Sequence, residues 1–153
     1  MSEARTKAML ARTASHAMGQ ASAATRSAAI QAAARLIRER TDAIVASNRS
    51  DMERSRAAGM PGPLLDRLML DSARLESIAS ALEEISRQHD PLGRVSWGRT
   101  LDSGVRVERV SVPMGVVAMI YEARPNVTAD AFALCVRAGN ACVLKGGGAA
   151  RES

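Results

Sequence analysis

The sequence predicts an α/β fold: helices first, then a β arm, then the first βαβ unit of a parallel sheet. Three observations carry this. Residues 116–121 and 141–144 are short apolar runs rich in Val, Ile and Leu, too short for ordinary helices and suited to strands buried on both faces. Between them a helical pattern covers 128–137 and stops at Gly139, which supplies a left-handed cap. Upstream of residue 95 apolar residues recur at intervals of three, four and seven, whereas beyond it they alternate.

Taken in order, residues 4–18 form an Ala-rich helix closing near Gly19. A second helix starts within 22–27 and runs to Asn48 on a stripe of Ile30, Ala33, Ala34, Ile37, Ile44 and Val45. Ser50 and Glu53 then have the spacing of a capping box, each side chain satisfying a free amide of the other's residue, and Gly59 ends the short helix they open. Pro61, Gly62 and Pro63 make a rigid turn before an apolar patch of Leu64, Leu65, Leu68 and Met69. Asp71 or Ser72 caps the next helix, with Leu75, Ile78, Ala79, Leu82 and Ile85 on one face, and it breaks before Asp90 and Pro91. Val105, Val107, Val110 and Val112 read as a strand that slips by one residue at Glu108 and Arg109, a slip that a bulge explains. In the βαβ helix, Val127, Ala131, Leu134, Cys135 and Ala138 share a face, and Asp130 sits in the first turn where the helix dipole favours an anion.

Composition bounds the function. The 153 residues suffice for one domain with a core, 46% hydrophobic and 24% charged, and an aromatic content of only 2% makes that core aliphatic. The net charge of +5 would suit nucleic acid only if it were clustered. All 21 basic residues except Lys7 and Lys145 are arginines scattered among Ala and acidic residues, which reads as solvated surface and not as a nucleic-acid footprint. No apolar run approaches the ~18 residues that span a membrane. The amino-terminal region lacks a hydrophobic signal core; its basic, Ala/Ser/Thr-rich composition overlaps with a transit peptide, and an amphipathic first helix is the preferred reading. Cys135 and Cys142 have neither CxxC spacing nor His neighbours, so they read as reduced core residues of a cytoplasmic protein. His16 and His89 are isolated and make no metal site.

Parallel strands joined by a crossover helix bind ligands at their carboxyl ends, here the loops 122–126 and 145–148. Asn126, held behind Pro125, offers an uncharged amide that can point at developing negative charge; asparagine also stabilises turns by bonding nearby backbone, and residue type alone leaves both readings open. Lys145 ends the second strand above the crevice, and Gly146, Gly147 and Gly148 let a nucleotide approach the backbone, although three glycines alone are no dinucleotide fingerprint. Glu122 and Arg124 either brace their loop as an ion pair or receive an anionic substrate, with bracing preferred.

The string Tyr121-Glu122-Ala123-Arg124-Pro125-Asn126-Val127-Thr128, with AGNACVLKGG at 138–147, resembles the gamma-glutamyl phosphate reductases, or glutamate-5-semialdehyde dehydrogenases, of the aldehyde dehydrogenase superfamily. Asn48 with Asp51, the run Leu65-Asp66-Arg67-Leu68, the run Asp90-Pro91-Leu92-Gly93, and Trp97 extend the likeness over nearly the whole chain. The resemblance implies an aldehyde-dehydrogenase-like fold of which this is an incomplete, amino-terminal portion. Residues 1–94 would be the helical part of a cofactor-binding domain, 95–112 the β arm of an oligomerisation element, and 113–153 the start of the nucleotide-binding sheet. It further implies NADPH-dependent reduction of L-glutamyl 5-phosphate to L-glutamate 5-semialdehyde with release of phosphate, in cytoplasmic proline biosynthesis, by a homo-oligomer that channels with glutamate 5-kinase. Asn126 would be the oxyanion donor, and Lys145, Gly146 and Gly147 would bind the cofactor.

The required thiol is expected outside this chain. Cys135 lies on an apolar helix face with no neighbouring cation to lower its pKa, and Cys142 lies mid-strand. The 153 residues are therefore expected to be catalytically silent alone. Gly148-Ala149 stands where the family usually has Ser-Glu, and Lys145 where Arg is common, which leaves NADP versus NAD preference open. A reading from another class is a non-catalytic, reductase-like interaction module that binds a full-length partner.

Overall fold

The computed structural model describes residues 2–122 and 124–153. Helix α1 (Glu3–Gln20) leads into α2 (Ala23–Glu39), whose start is set by the Ser22 hydroxyl accepting the Thr25 amide at 3.1 Å. Then come α3 (Thr41–Ala57), α4 (Gly62–Leu68) and α5 (Ser72–Arg87), the last capped by the Asp71 carboxylate on the Arg74 amide at 2.7 Å. An antiparallel hairpin follows, β1 (Val95–Thr100) with β2 (Arg106–Val110), and the βαβ unit of β3 (Val116–Ile120), α6 (Pro125–Arg137) and β4 (Ala141–Lys145) closes the order. β3 and β4 pair in parallel, Val116 opposite Ala141 through to Ile120 opposite Lys145. The predicted α/β order of helices, β arm and βαβ unit is thus the observed one, and the arm is a hairpin.

The core lies where α2, α5 and α6 meet. Ile30, Ala34, Ala79, Leu82, Ala133 and Val136 are buried together, and Phe132 packs at the edge. Alanine on all three helices lets their backbones approach closely, and the large aliphatic side chains fill what remains; each fully buried Ile or Leu contributes roughly 1.5–3 kcal/mol. The stripe expected on α5 is the face it buries: Leu75, Ala79 and Leu82 are buried, with Ile78 and Ile85 packed beside them.

The structure corrects the reading of residues 22–59. The helix expected to run to Asn48 breaks at Arg40 (φ −107°, ψ 16°), where the Thr41 hydroxyl donates to the Ile37 carbonyl at 3.1 Å, a back-bond that bends helices. α3 then passes straight through Ser50 and Glu53, so no capping box forms, and Gly59, at φ +76°, ends α3 itself. Two of the polar residues that suggested a helix end are buried tethers, whereas Ser50 and Glu53 are exposed. Asn48, 1% exposed, donates to the Leu68 carbonyl at 2.9 Å and accepts the Leu70 amide at 2.7 Å. Asp51, fully buried, accepts the Glu152 and Ser153 amides at 3.0 and 2.9 Å and pairs with Arg54.

Other corrections are smaller. Gly62 and Pro63 are not a turn but the first turn of α4, so the Leu64 to Leu68 patch is helical. Leu134 is 53% exposed; α6 lies between two layers and buries the wider arc of Ala131, Ala133, Cys135 and Val136. The bulge sits on β1 at Ser96, between the Val95–Val110 and Trp97–Arg109 pairs, and not at Glu108 and Arg109. β3 is only half buried, with Ile120 85% exposed, because among the described residues its sheet has two strands.

Two buried arginines lock the helical layer. Arg26, 3% exposed, donates to both Asp90 oxygens at 2.7 and 2.6 Å and to the Ala21 carbonyl at 2.6 Å. Arg137 donates to the Ser27 hydroxyl at 2.9 Å and to the Gln88 carbonyl, so α6, α2 and the end of α5 share one polar joint. Burial pushes the Asp90 carboxyl up, but the Leu92 amide and the Arg26 guanidinium outweigh it and hold the carboxyl below its ordinary value.

Two predictions follow from these joints. Asp90→Ala leaves a buried guanidinium without its counter-charge and should cost about 3 kcal/mol or more in urea unfolding at pH 7. The folded carboxyl titrates below the unfolded one, so the contribution is full above about pH 4 and is lost as pH falls through the folded value; the gap between the two proteins should narrow at acid pH. The second concerns Gly139, at φ +70°, whose amide donates to the Val136 carbonyl at 3.0 Å while the Asn140 amide donates to that of Cys135 at 2.8 Å. A Cβ there would sit 2.8 Å from Leu92 Cδ1 and 3.1 Å from Pro113 Cγ. Gly139→Ala should destabilise by about 2 kcal/mol or more in the same assay.

Candidate functional site

The site grows from the carboxyl edge of β3 and β4. The Tyr121 amide donates to the Lys145 carbonyl at 3.1 Å, carrying the parallel pairing one residue past β3. The Tyr121 hydroxyl shares a 2.5 Å hydrogen bond with the Thr128 hydroxyl, and its ring lies against Gly146, where a Cβ would meet ring carbon Cε2 at 3.4 Å. One side chain therefore joins the loop before α6, α6 itself and the glycine loop. At the other end of the unit, the Asn140 side chain accepts the Gly115 amide at 2.9 Å and fixes where β3 starts relative to β4.

Arg124 donates its amide to the Glu122 carbonyl at 2.8 Å, and Pro125 follows at the first position of α6, where a missing N–H costs nothing. Ala123, inside the family-like string, lies outside the described residues. The ion pair expected between Glu122 and Arg124 does not form among the described residues; both side chains are exposed. Asn126 is in the first turn of α6 and not in the loop ahead of it. It is exposed, and its amide donates to Asp130 Oδ2 at 3.3 Å, a long contact one turn along the helix.

Lys145 is exposed, its ammonium donating to the Gly146 carbonyl at 2.8 Å. Gly147 and Gly148 line a groove of about 250 Å³ with Leu64, Arg67, Glu122 and Arg124. Asn126 lines a second groove, of about 220 Å³, with Arg67, Arg74 and Ser77. The structure therefore brings Gly147 together with the 122–124 loop, puts Asn126 in another groove, and leaves Lys145 and Gly146 outside the lining of both. Arg67 lines both grooves. Nothing local beyond the Leu65-Asp66-Arg67-Leu68 run marks it in the sequence, because its place depends on α4 packing beside the loops. A further cavity, about 400 Å³, is an apolar cleft between Ile37, Ile44, Leu75, Leu82 and Phe132 that contains none of the expected site residues.

Cys135 is buried and Cys142 half-buried. Burial pushes both thiols up, and for Cys135 the neighbouring Cys142 adds to the shift, so neither is a ready thiolate at neutral pH. Among the described residues no group of His, Cys, Asp and Glu could hold a metal ion, and no helix is long and apolar enough to cross a membrane.

A helical layer carrying a parallel βαβ unit, with polar and glycine loops side by side at the strands' carboxyl ends, is the class of protein that binds ligands at the edge of an α/β sheet. Comparison with known proteins gives the particular relationship. No protein-family model matches the chain. The gamma-glutamyl phosphate reductase of Caulobacter vibrioides is 51% identical over 137 residues, covering 90% of this chain and 33% of the relative. That of Xanthomonas oryzae pv. oryzae is 46% identical over 149 residues, 97% of this chain and 36% of the relative. The crystal structure of the Thermotoga maritima gamma-glutamyl phosphate reductase superposes with a TM-score of 0.93 at 35% identity, over 97% of this chain and 36% of that one. The Saccharomyces cerevisiae enzyme gives 0.94 at 31% identity, over 99% of this chain and 39% of that one. In sequence and fold the chain belongs to the gamma-glutamyl phosphate reductase family, and it spans about a third of the length of the curated relatives it matches.

If Tyr121 couples the two loops, Tyr121→Phe should raise amide exchange several-fold at residues 124–128 and 145–148, while global stability falls by no more than about 1 kcal/mol. Hydrogen exchange read by mass spectrometry and urea unfolding check the two halves of this expectation.

Proposed function

We propose that this chain is part of an NADPH-dependent reductase that converts L-glutamyl 5-phosphate to L-glutamate 5-semialdehyde and phosphate in proline biosynthesis. The observation that carries the reading is homology to gamma-glutamyl phosphate reductases across 90–97% of the chain. The convergence of two ligand loops on one sheet edge supports it. NADPH supplies a hydride to such a reaction when bound. Gly146 and Gly147 present backbone without side chains, and Lys145 offers an exposed ammonium that, among the described residues, is engaged only by a neighbouring carbonyl, so the residues present fit a nucleotide.

Asn126 is the oxyanion donor in this reading. Its contact with Asp130 is long enough to exchange for a stronger, charge-assisted one when an acyl oxygen gains negative charge. Pro125 opens α6 and sets Asn126 at the head of the helix. Acyl transfer from phosphate also needs a thiolate, and Cys135 and Cys142 are held as thiols by burial. The nucleophile therefore comes from elsewhere in the enzyme, and the 153 residues alone do not turn over. In the same reading, residues 1–94 and 113–153 belong to the cofactor-binding domain and 95–112 is the arm of a cytoplasmic homo-oligomer that passes substrate from glutamate 5-kinase. The exposure of Val95, Trp97, Val107 and Val110 along both strands of the hairpin supports an arm that packs on something else.

The test joins binding to turnover. NADPH should slow amide exchange at residues 145–148, Lys145→Ala should remove that protection, and the 153-residue chain with NADPH and γ-glutamyl phosphate should show no loss of absorbance at 340 nm. Protection confined to other segments, or turnover by the chain alone, would refute the reading.

A further inference from the structure

We propose that Cys135 and Cys142 form a reversible thiol-oxidation site, at which a peroxide converts the pair to a disulfide that ties the end of α6 to the start of β4. Nothing in it depends on the reductase reading, in which neither thiol reacts. The two residues meet because of the way the chain reverses between helix and strand. The Gly139 amide donates to the Val136 carbonyl at 3.0 Å and the Asn140 amide to the Cys135 carbonyl at 2.8 Å, so the backbone folds back just past Cys135. β4 then begins at Ala141, and Cys142 is its second residue, opposite Val117 of β3.

The side chains are turned toward one another. Cys142 and Leu144, alternate residues on one face of β4, line the apolar cleft together with Thr128, Ala129 and Phe132 of α6, so that face of the strand is the one the helix covers. Cys135 lies about one turn beyond Phe132 on the same side of α6, which brings its thiol to the start of β4. Each thiol is near enough to shift the ionisation of the other.

Unequal exposure assigns the roles, since Cys135 is 7% exposed and Cys142 is half-buried. The Cys142 sulfur, as thiolate, attacks hydrogen peroxide; the O–O bond breaks, a sulfenic acid forms, and the other oxygen leaves as water. The Cys135 sulfur then attacks that of Cys142, the S–S bond forms, and the sulfenic oxygen leaves as a second water. Two thiols are oxidised and one peroxide is reduced, and a small thiol reverses the bridge by exchange. Burial opposes both thiolates, so the first step is slow, whereas the same apolar surroundings suit an uncharged disulfide. Where small thiols are abundant such a bridge is transient.

The test exposes the folded chain to hydrogen peroxide and digests it with trypsin without reduction. Arg137 is the only basic residue between the two cysteines, so the bridge shows as two peptides that separate on reduction. The urea midpoint of the bridged chain should rise above that of the reduced chain and return when reductant is added, because the bridge restricts the unfolded chain. Cys135→Ala should stop at a sulfenic acid on Cys142 that dimedone captures, and Cys142→Ala should keep Cys135 as a thiol. The unaltered chain decides the matter even where a variant unfolds. The proposal is overturned if its Cys142 gains oxygen while Cys135 stays a thiol, if the bridge joins two chains, or if the bridge lowers the midpoint. It is equally overturned if both thiols outlast an exposure about tenfold longer than the urea-unfolded chain needs for full oxidation.

Discussion

A charged arginine with almost no exposure is the constraint on which the rest of this structure depends. Arg26 cannot remain buried unless Asp90 faces it with both oxygens, and Asp90 reaches it only if α5 ends where it does and the chain turns back at Pro91. Arg137 extends the same joint to α6 by bonding Ser27 and the Gln88 carbonyl. With those contacts made, α2, α5 and α6 are held close enough for their alanines to meet. The joint contributes specificity of arrangement more than raw stability, since buried ion pairs gain little over well-packed apolar side chains.

The candidate site inherits its geometry from that layer. Once α6 is seated, its Schellman cap at Gly139 and the Asn140 side chain fix the start of β4 against that of β3, and the parallel register carries this alignment to the other end. There Tyr121 joins both loops. Positions some ten residues apart along α6 thus cooperate: a cap at one end sets the strand ends that place Lys145 and Gly147 near the other.

Much of this was legible in the residues, and the failures share a cause. The βαβ unit was readable because β-branched runs, a helical period and a capping glycine agree over 116–145. The α5 stripe was readable for the same reason. Residues 40–57 misled because Asn48, Ser50, Asp51 and Glu53 have the residue types of a helix boundary, and only tertiary contacts with Leu68, Leu70 and Ser153 show why two of them lie buried inside a helix. The bulge on β1 is not legible in β2, because a slip in one strand's alternation does not say which partner carries the extra residue. The place of Asn126 in the helix is not legible locally, because Pro125 serves equally as a turn residue and as the first residue of a helix. Arg67 was hidden because it comes from an element far away in sequence.

The alanines of the core have an evolutionary consequence. Ala34, Ala79 and Ala133 are essentially inaccessible where three helices converge, and their small size is what allows the convergence. A larger residue at any of them has no room to expand into without separating helices that the arginine joint holds together. Sequence drift in this chain should therefore be least free at some of its plainest residues, and an inventory of conspicuous polar side chains would overlook the positions where lineages of this protein have the fewest alternatives.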